Sequence, residues 1–183
     1  VTRSDGSAPD FEESDRLREL ALAGVLCNEA SLRLVLGEWL HQGDAMDVAL
    51  LAMAHKLGID PEAETDGQSV LGDMPFESEQ RYAARFVRGE DFVCIVKGAV
   101  EQVIAFCDTM AGVDGPVPID ALEVEGETLR LGREGYRVLA IAKGPLASIA
   151  DQKISGPEHV PRLTMLGLVA FIDPLRQDVR DAI

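Results

Sequence analysis

In Val93-Cys94-Ile95-Val96-Lys97-Gly98-Ala99-Val100-Glu101 the chain changes character at its centre. An apolar run of strand type ends on Lys97, Gly98 follows, and an apolar-periodic helix pattern continues to Cys107. A strand fixes the stem of a lysine at its end, and a glycine beside it lets backbone come close. Lys97 and Gly98 therefore suit contact with a phosphate or a nucleotide at a sheet edge. The same pattern also describes a surface lysine ending an edge strand before an ordinary β-to-α turn.

Working outward, Phe92 to Val96 is preceded by the turn Gly89-Glu90-Asp91 and the β-rich run Tyr82 to Val87. Val70-Leu71 and Met74-Pro75-Phe76 lie before it, across a polar turn from Glu77 to Gln80. Strands joined by such short polar turns are expected to be antiparallel neighbours. Tyr136 to Ala142 reads as another strand, and Leu163 to Ile172 as a buried one. Helices are expected after Asp10, which forms a capping-box pair with Glu13 and leads into a face of Leu17, Leu20, Ala21 and Gly24. Cys27-Asn28-Glu29 ends that helix, and Leu32 to Val35 suggests a short strand. Asp44 caps a second helix, with Val48, Leu51, Ala52 and His55 on one face and Gly58 as its stop. The acidic stretch Ile59 to Gly72, with Pro61 and two glycines, reads as a surface loop. A helix follows from Val100 to Phe106, then a turn region from Gly112 to Pro118. Another helix is expected over Ala121 to Glu134, with Leu122, Val124, Leu129 and Leu131 supplying apolar contacts and Gly135 as a left-handed cap. The pattern amounts to an α+β fold, an antiparallel sheet flanked by helices.

Composition narrows the partners. The 183 residues carry a formal net charge of −15, which argues against a nucleic-acid partner or contact with an acidic membrane surface. Each internal cation gains interest in that acidic background. Cys27, Cys94 and Cys107 lie in apolar surroundings without ligand spacing and read as reduced core thiols, as in a cytosolic setting. Leu163 to Ile172, the longest uncharged run, is too short to span a bilayer. The first residues lack the basic start and apolar core of a signal peptide. His55 has no second His or Cys at metal spacing.

Among candidate site residues, Phe76 sits beside a polar turn, where a phenyl face can stack on a purine or serve simply as core. Arg81, Lys97 and Arg137, each near a strand end, can form a positive rim around phosphates or stand as separate solvated charges. No P-loop, Gly-x-Gly-x-x-Gly or Gly-x-Ser-x-Gly run is present, and thirty-two acidic residues offer pairs at nearly every spacing. The residues read as a binding module.

Six ordered blocks carry a resemblance: Leu26-Cys27-Asn28; Gly43-Asp44-Ala45-Met46-Asp47 with Ala49-Leu50-Leu51; Phe76-Glu77-Ser78 with Arg81; Lys97-Gly98-Ala99 with Glu101 and Cys107; Gly135-Tyr136-Arg137-Val138-Leu139-Ala140; and Gly167-Leu168 running into Asp173-Pro174-Leu175-Arg176. In these the chain resembles the nucleotide-binding domain of a P-type cation-transporting ATPase, of the calcium/magnesium type or a related bacterial branch. The resemblance implies that Phe76 stacks on adenine and that Lys97 lines the same pocket near base and ribose. It implies that Arg81 reaches toward nucleotide or phosphate, Arg137 contacts the phosphate tail, and Gly98 permits close approach. Asp47 stands where the family commonly has Glu, at an adenine-side contact. Asp173 and Arg176 resemble the returning hinge, where they help arrange nucleotide phosphates and Mg2+. By this resemblance residues 1–15 form a flexible lead, 16–172 the domain, and 173–183 the start of a phosphorylation domain.

The ligand so implied is ATP with Mg2+. The implied partners are the phosphorylation and actuator domains of one parent chain, and the implied setting is the cytoplasmic side of a bacterial plasma membrane. The chain departs from the family in Ala45-Met46-Asp47, where Pro-Thr-Glu is frequent, and in Ser78, where some calcium-pump members have arginine. It contains no Asp-Lys-Thr-Gly run, so binding of ATP without appreciable turnover is expected. The alternative is a non-catalytic interaction or regulatory domain with a degenerate pocket.

Overall fold

The second half of the first helix is almost wholly apolar, and it buries Leu20, Ala21, Ala23 and Val25. A computed structural model describes residues 11–89, 91–146, 154 and 156–172. The capping pair expected of Asp10 with Glu13 falls outside the described residues and side chains. In chain order the elements are α1 (Phe11–Leu26), β1 (Ser31–Val35), β2 (Glu38–Gln42), α2 (Ala45–Lys56), α3 (Pro61–Thr65), β3 (Ser69–Met74), β4 (Tyr82–Arg88) and β5 (Phe92–Gly98). There follow α4 (Val100–Ile104), β6 (Cys107–Gly112), β7 (Gly115–Pro118), α5 (Ala121–Arg133), β8 (Tyr136–Pro145), a single 3-10 turn (Pro157–His159) and β9 (Leu163–Ile172).

Among the described residues, seven strands form one sheet in the order β3-β4-β5-β8-β9-β6-β7, and β1 and β2 form a separate ribbon. The fold is α+β, with helices flanking a mostly antiparallel sheet, as expected. β4 and β5 pair antiparallel from Arg88↔Phe92 to Tyr82↔Gly98, as their short turn requires. β5 also pairs with β8, so it is an inner strand and Lys97 does not end a sheet edge.

Side-chain alternation gives this sheet two faces. One carries Ala84, Phe86, Cys94, Val96, Ala140, Ala142 and Met165, packed with Val100 and Val103 of α4 and Val124 of α5. The other carries Ala83, Val87, Ile95, Ile141 and Val169, covered by Leu20, Ala23 and Cys27 of the α1 segment and Leu50 of α2. Burying a side chain such as Ile95 or Ile141 contributes about 1.5–3 kcal/mol. Gly24 keeps α1 close to its neighbours, since a Cβ there would stand 3.3 Å from Leu50 Cδ2 and 3.5 Å from Ile141 Cδ1.

Several local expectations hold. Asp44 caps α2 through its Oδ1, which accepts from Met46 N at 2.8 Å. Gly135 follows α5 at φ +88°, and all three cysteines are free and buried.

Others are corrected. The acidic loop from Ile59 to Gly72 contains α3, capped by Asp60 with Pro61 in its first turn, and then the start of β3. Its acids favour the helix start, which outweighs the loop-like composition. The helix after Gly98 ends at Ile104, and Cys107 already belongs to β6. The expected turn region from Gly112 to Pro118 is the tip and second strand of the β6–β7 hairpin. Among the described strands only β6 and β9 pair parallel, and no short turn joins them. On α2 the buried side chains are Leu50, Leu51 and Ala54, a face shifted from the one expected. On α5 only Val124 is buried, and Leu122 and Leu129 are exposed. Leu163–Ile172 is a strand, but its far half is partly exposed.

The β1–β2 hairpin places Leu36 at φ 52° and Gly37 at φ 89°, a two-residue turn of the kind that matches strand twist. Leucine is unusual at such an angle, so no sequence signal announced β2.

Candidate functional site

The register brings one end of each central strand together. Gly98 at the end of β5 lies opposite Tyr82 at the start of β4 and opposite Ala140 of β8. Met74, the last residue of β3, lies opposite Ala84, and Tyr136, the first of β8, lies opposite Ile172. Phe76, Arg81, Lys97, Gly98 and Arg137 therefore lie toward a single end of the sheet, although they come from three segments: the β3–β4 connection, the end of β5 and the start of β8. β9 reaches the same end at Ile172, and Asp173 and Arg176 lie outside the described residues.

Lys97 points to the face covered by α1 and α2, in the row of Ala83 and Ile141. Its Nζ donates to Asp47 Oδ1, and the two side chains are only 7% and 13% exposed. A buried ammonium needs such a partner, because desolvating it alone costs several kcal/mol. Asp47 stands in the first turn of α2, where the helix dipole favours an acid. Its Oδ2 accepts from Glu29 N at 3.1 Å. Asn28 touches the same residue: its Nδ2 donates to the Asp47 carbonyl at 3.0 Å.

Arg81 has φ 58°, a region that non-glycine residues rarely occupy. Three contacts hold it there: its N–H donates to Glu77 O at 2.7 Å, its carbonyl accepts from Ala99 N at 2.9 Å, and Nη1 meets Glu101 Oε1 at 2.7 Å. Gly98 makes this possible, since a Cβ there would fall 2.5 Å from the Arg81 carbonyl oxygen and 2.6 Å from Tyr82 Cα. Backbone strain held by its surroundings is a frequent mark of functional loops.

Phe76, two residues past β3, leaves 54% of its surface exposed. An exposed phenyl ring can receive a planar base. Arg137 lines a hollow of about 540 Å³ under α2, together with Met46, Ala49, Met53, Lys56 and Phe171. Phe76 and Lys97 are not part of that lining, so the structure joins Lys97 to Asp47 and Arg137 to the neighbouring Met46, with Phe76 apart on β3's side. Ala45 and Met46, the residues that depart from the family's Pro-Thr, both line this hollow.

The thiols are poor nucleophiles. Burial pushes Cys27 and Cys107 up to about 11 and Cys94 higher still. Among the described residues no group of three or more His, Cys, Asp or Glu is placed to hold a metal ion. The arrangement places one exposed ring, an ammonium paired to Asp47, a guanidinium paired to Glu101 and the guanidinium of Arg137 toward one end of the sheet.

Residues 16–178 match the family described as P-type ATPase, cytoplasmic domain N. The chain is 34% identical over 168 residues to the cation-transporting ATPase pma1 of Synechocystis, covering 91% of this chain and 18% of that protein. It is 35% identical over 170 residues to the probable cation-transporting ATPase F of Mycobacterium tuberculosis, covering 91% and 19%. With the human calcium-transporting ATPase type 2C member 1 it shares 32% over 169 residues, covering 88% and 16%. The chain thus spans less than a fifth of the length of these relatives. No helix among the described residues is long and apolar enough to cross a membrane.

Proposed function

Because this chain belongs to the family of P-type ATPase cytoplasmic N domains, we propose that it binds ATP at the sheet end that gathers Phe76, Arg81, Lys97, Gly98 and Arg137. The observation that carries this reading is the exposed ring of Phe76 at the same strand ends as a buried, paired lysine in a chain of net charge −15. Phe76 stacks on the adenine. Lys97 and Asp47 stand near the base and ribose, while Arg81 and Arg137 face the phosphates. Gly98 keeps the backbone low enough for the nucleotide to approach.

In a parent protein the domain presents ATP to an aspartate of a phosphorylation domain, and the resulting aspartyl phosphate drives cation transport across a bacterial plasma membrane. The actuator domain is a further partner. The N domain then comprises residues 16–172 after a lead of 1–15, and 173–183 return toward the phosphorylation domain with Asp173 and Arg176 near the phosphates. Mg2+ accompanies the nucleotide, held by its phosphates and mainly by the phosphorylation domain. These 183 residues hold no Asp-Lys-Thr-Gly run to act as nucleophile, so the chain binds ATP without turning it over.

The test is a titration with ATP followed residue by residue in NMR spectra. Saturable shifts are expected near Phe76 and Lys97. Phe76→Ala is expected to weaken binding by roughly 5- to 150-fold, the loss of about 1–3 kcal/mol of stacking. No saturable shift at millimolar ATP would defeat the proposal and favour an interaction domain with a degenerate pocket.

A further inference from the structure

Leu26-Cys27-Asn28 carries part of the family resemblance, and Asn28 reaches Asp47, the partner of Lys97. We propose that Asn28 is a positioning residue, whose buried carboxamide sets the place of the Lys97 ammonium by holding Asp47. This rests on the nucleotide-binding reading and deepens it.

Asn28 is only 8% exposed, one of two buried polar or charged residues among the described core. Its Nδ2 donates both to Gly24 O, at 3.1 Å, and to Asp47 O, at 3.0 Å. Its Oδ1 accepts from Ala30 N at 2.8 Å. The amide thus joins the end of α1 to the first turn of α2 and turns the chain so that the next amide, Glu29 N, meets Asp47 Oδ2 at 3.1 Å. With the backbone of Asp47 held by Asn28 and one carboxylate oxygen held by Glu29, Oδ1 is left aimed at Lys97 Nζ.

The anchor is itself braced from the sheet. Arg85 Nη1 donates to Asn28 O at 2.8 Å and to Leu26 O at 3.3 Å, while its Nε meets Asp73 Oδ1 at 3.3 Å across the β3–β4 pair. Arg85 and Lys97 lie on the same face of adjacent strands. The relay from Asp73 through Arg85, Asn28 and Asp47 therefore fixes a long, rotamer-rich side chain whose ammonium has three N–H donors. Among the described hydrogen bonds one is spent on Asp47, and the others remain for a base or ribose acceptor. A lysine already immobilised loses less entropy on binding.

The experiment is a double-mutant cycle on ATP affinity with Asn28→Ala, Lys97→Met and the double variant. If Asn28 acts through Lys97, Asn28→Ala weakens binding about tenfold, and the double variant binds no more weakly than Lys97→Met alone. Multiplying losses would mean an independent, merely structural role and would overturn the inference. Without nucleotide, the Lys97 side-chain ammonium NMR signal is expected to be protected in the wild type and to broaden or shift in Asn28→Ala. An unmoved signal would overturn it too. Should Asn28→Ala not fold, Asn28→Asp, which keeps the shape and the acceptor for Ala30 but loses both donations, takes its place. A wild type that fails to bind ATP defeats the functional reading and this inference together. A wild type that binds, with an additive cycle, defeats this inference alone.

Discussion

The two faces of the central strands use alternate residues of the same segments and serve opposite ends. On one face Ala84, Val96 and Val138 continue an apolar layer toward the strand ends. On the other, their chain neighbours Arg85, Lys97 and Arg137 place three cations beside the apolar cluster. Lys97 is offset by Asp47 and Arg85 by Asp73. The first face carries no charged side chain in its cluster and is packed mainly by shape. On the second face Lys97 and Arg85 are held by named partners beside the apolar cluster, so hydrogen bonds as well as shape set its geometry, and this is the face α2 covers. A sheet can thus separate stability from recognition by one step along each strand.

The largest effect is expected on the apolar face. Phe86→Ala removes a fully buried ring and is expected to lower stability by about 3–5 kcal/mol in denaturant titrations, while the folded fraction binds ATP with unchanged affinity. Loss of affinity in that folded fraction would mean that the faces are not separable.

Next comes the cation face. Lys97→Met leaves Asp47 half-partnered, at a cost of about 1–3 kcal/mol. Lys97→Met with Asp47→Leu is expected to regain most of that stability, since apolar groups often replace a buried pair without loss. ATP affinity stays low in both. A double variant as unstable as the single one would show that the pair itself supports the fold, blurring the contrast.

The smallest effect concerns the thiols, one on each face and one at the start of β6. Burial raises Cys27 and Cys107 from 9.0 to about 11, so the folded state keeps protons that the unfolded chain would release. Their contribution to stability is whole below pH 9 and is lost as the pH rises through about 11. A mild alkaline decline over that window is expected in thermal melts. At pH 8 a thiol reagent is expected to label the native protein slowly and the denatured protein at all three cysteines. Rapid native labelling would show that these positions open to solvent.

Much of this architecture was legible along the chain. The short turn between Val87 and Phe92 predicts the β4–β5 pair, and Asp44 and Gly135 mark their helix boundaries, because each signal acts within a few residues. Phe76, Arg81, Lys97 and Arg137 could be singled out for their places near strand ends. Asn28 could not be given a role, although it stood inside a recognised block. Nor could α3, whose acidic composition imitates a loop, or the parallel pairing of β6 with β9, whose partners are separated by α5 and β8.

By itself the sequence determined which segments are strands and helices at the centre of the domain, because periodicity, caps and tight turns are local and each is read within one element. Only the tertiary structure decided that Lys97 is buried and paired with a residue fifty positions away, and that Asn28 reaches nineteen positions to hold that partner. No local pattern encodes such pairs. They follow from the helix–sheet packing that brings α2 over β5 and excludes the water that would otherwise have solvated both charges.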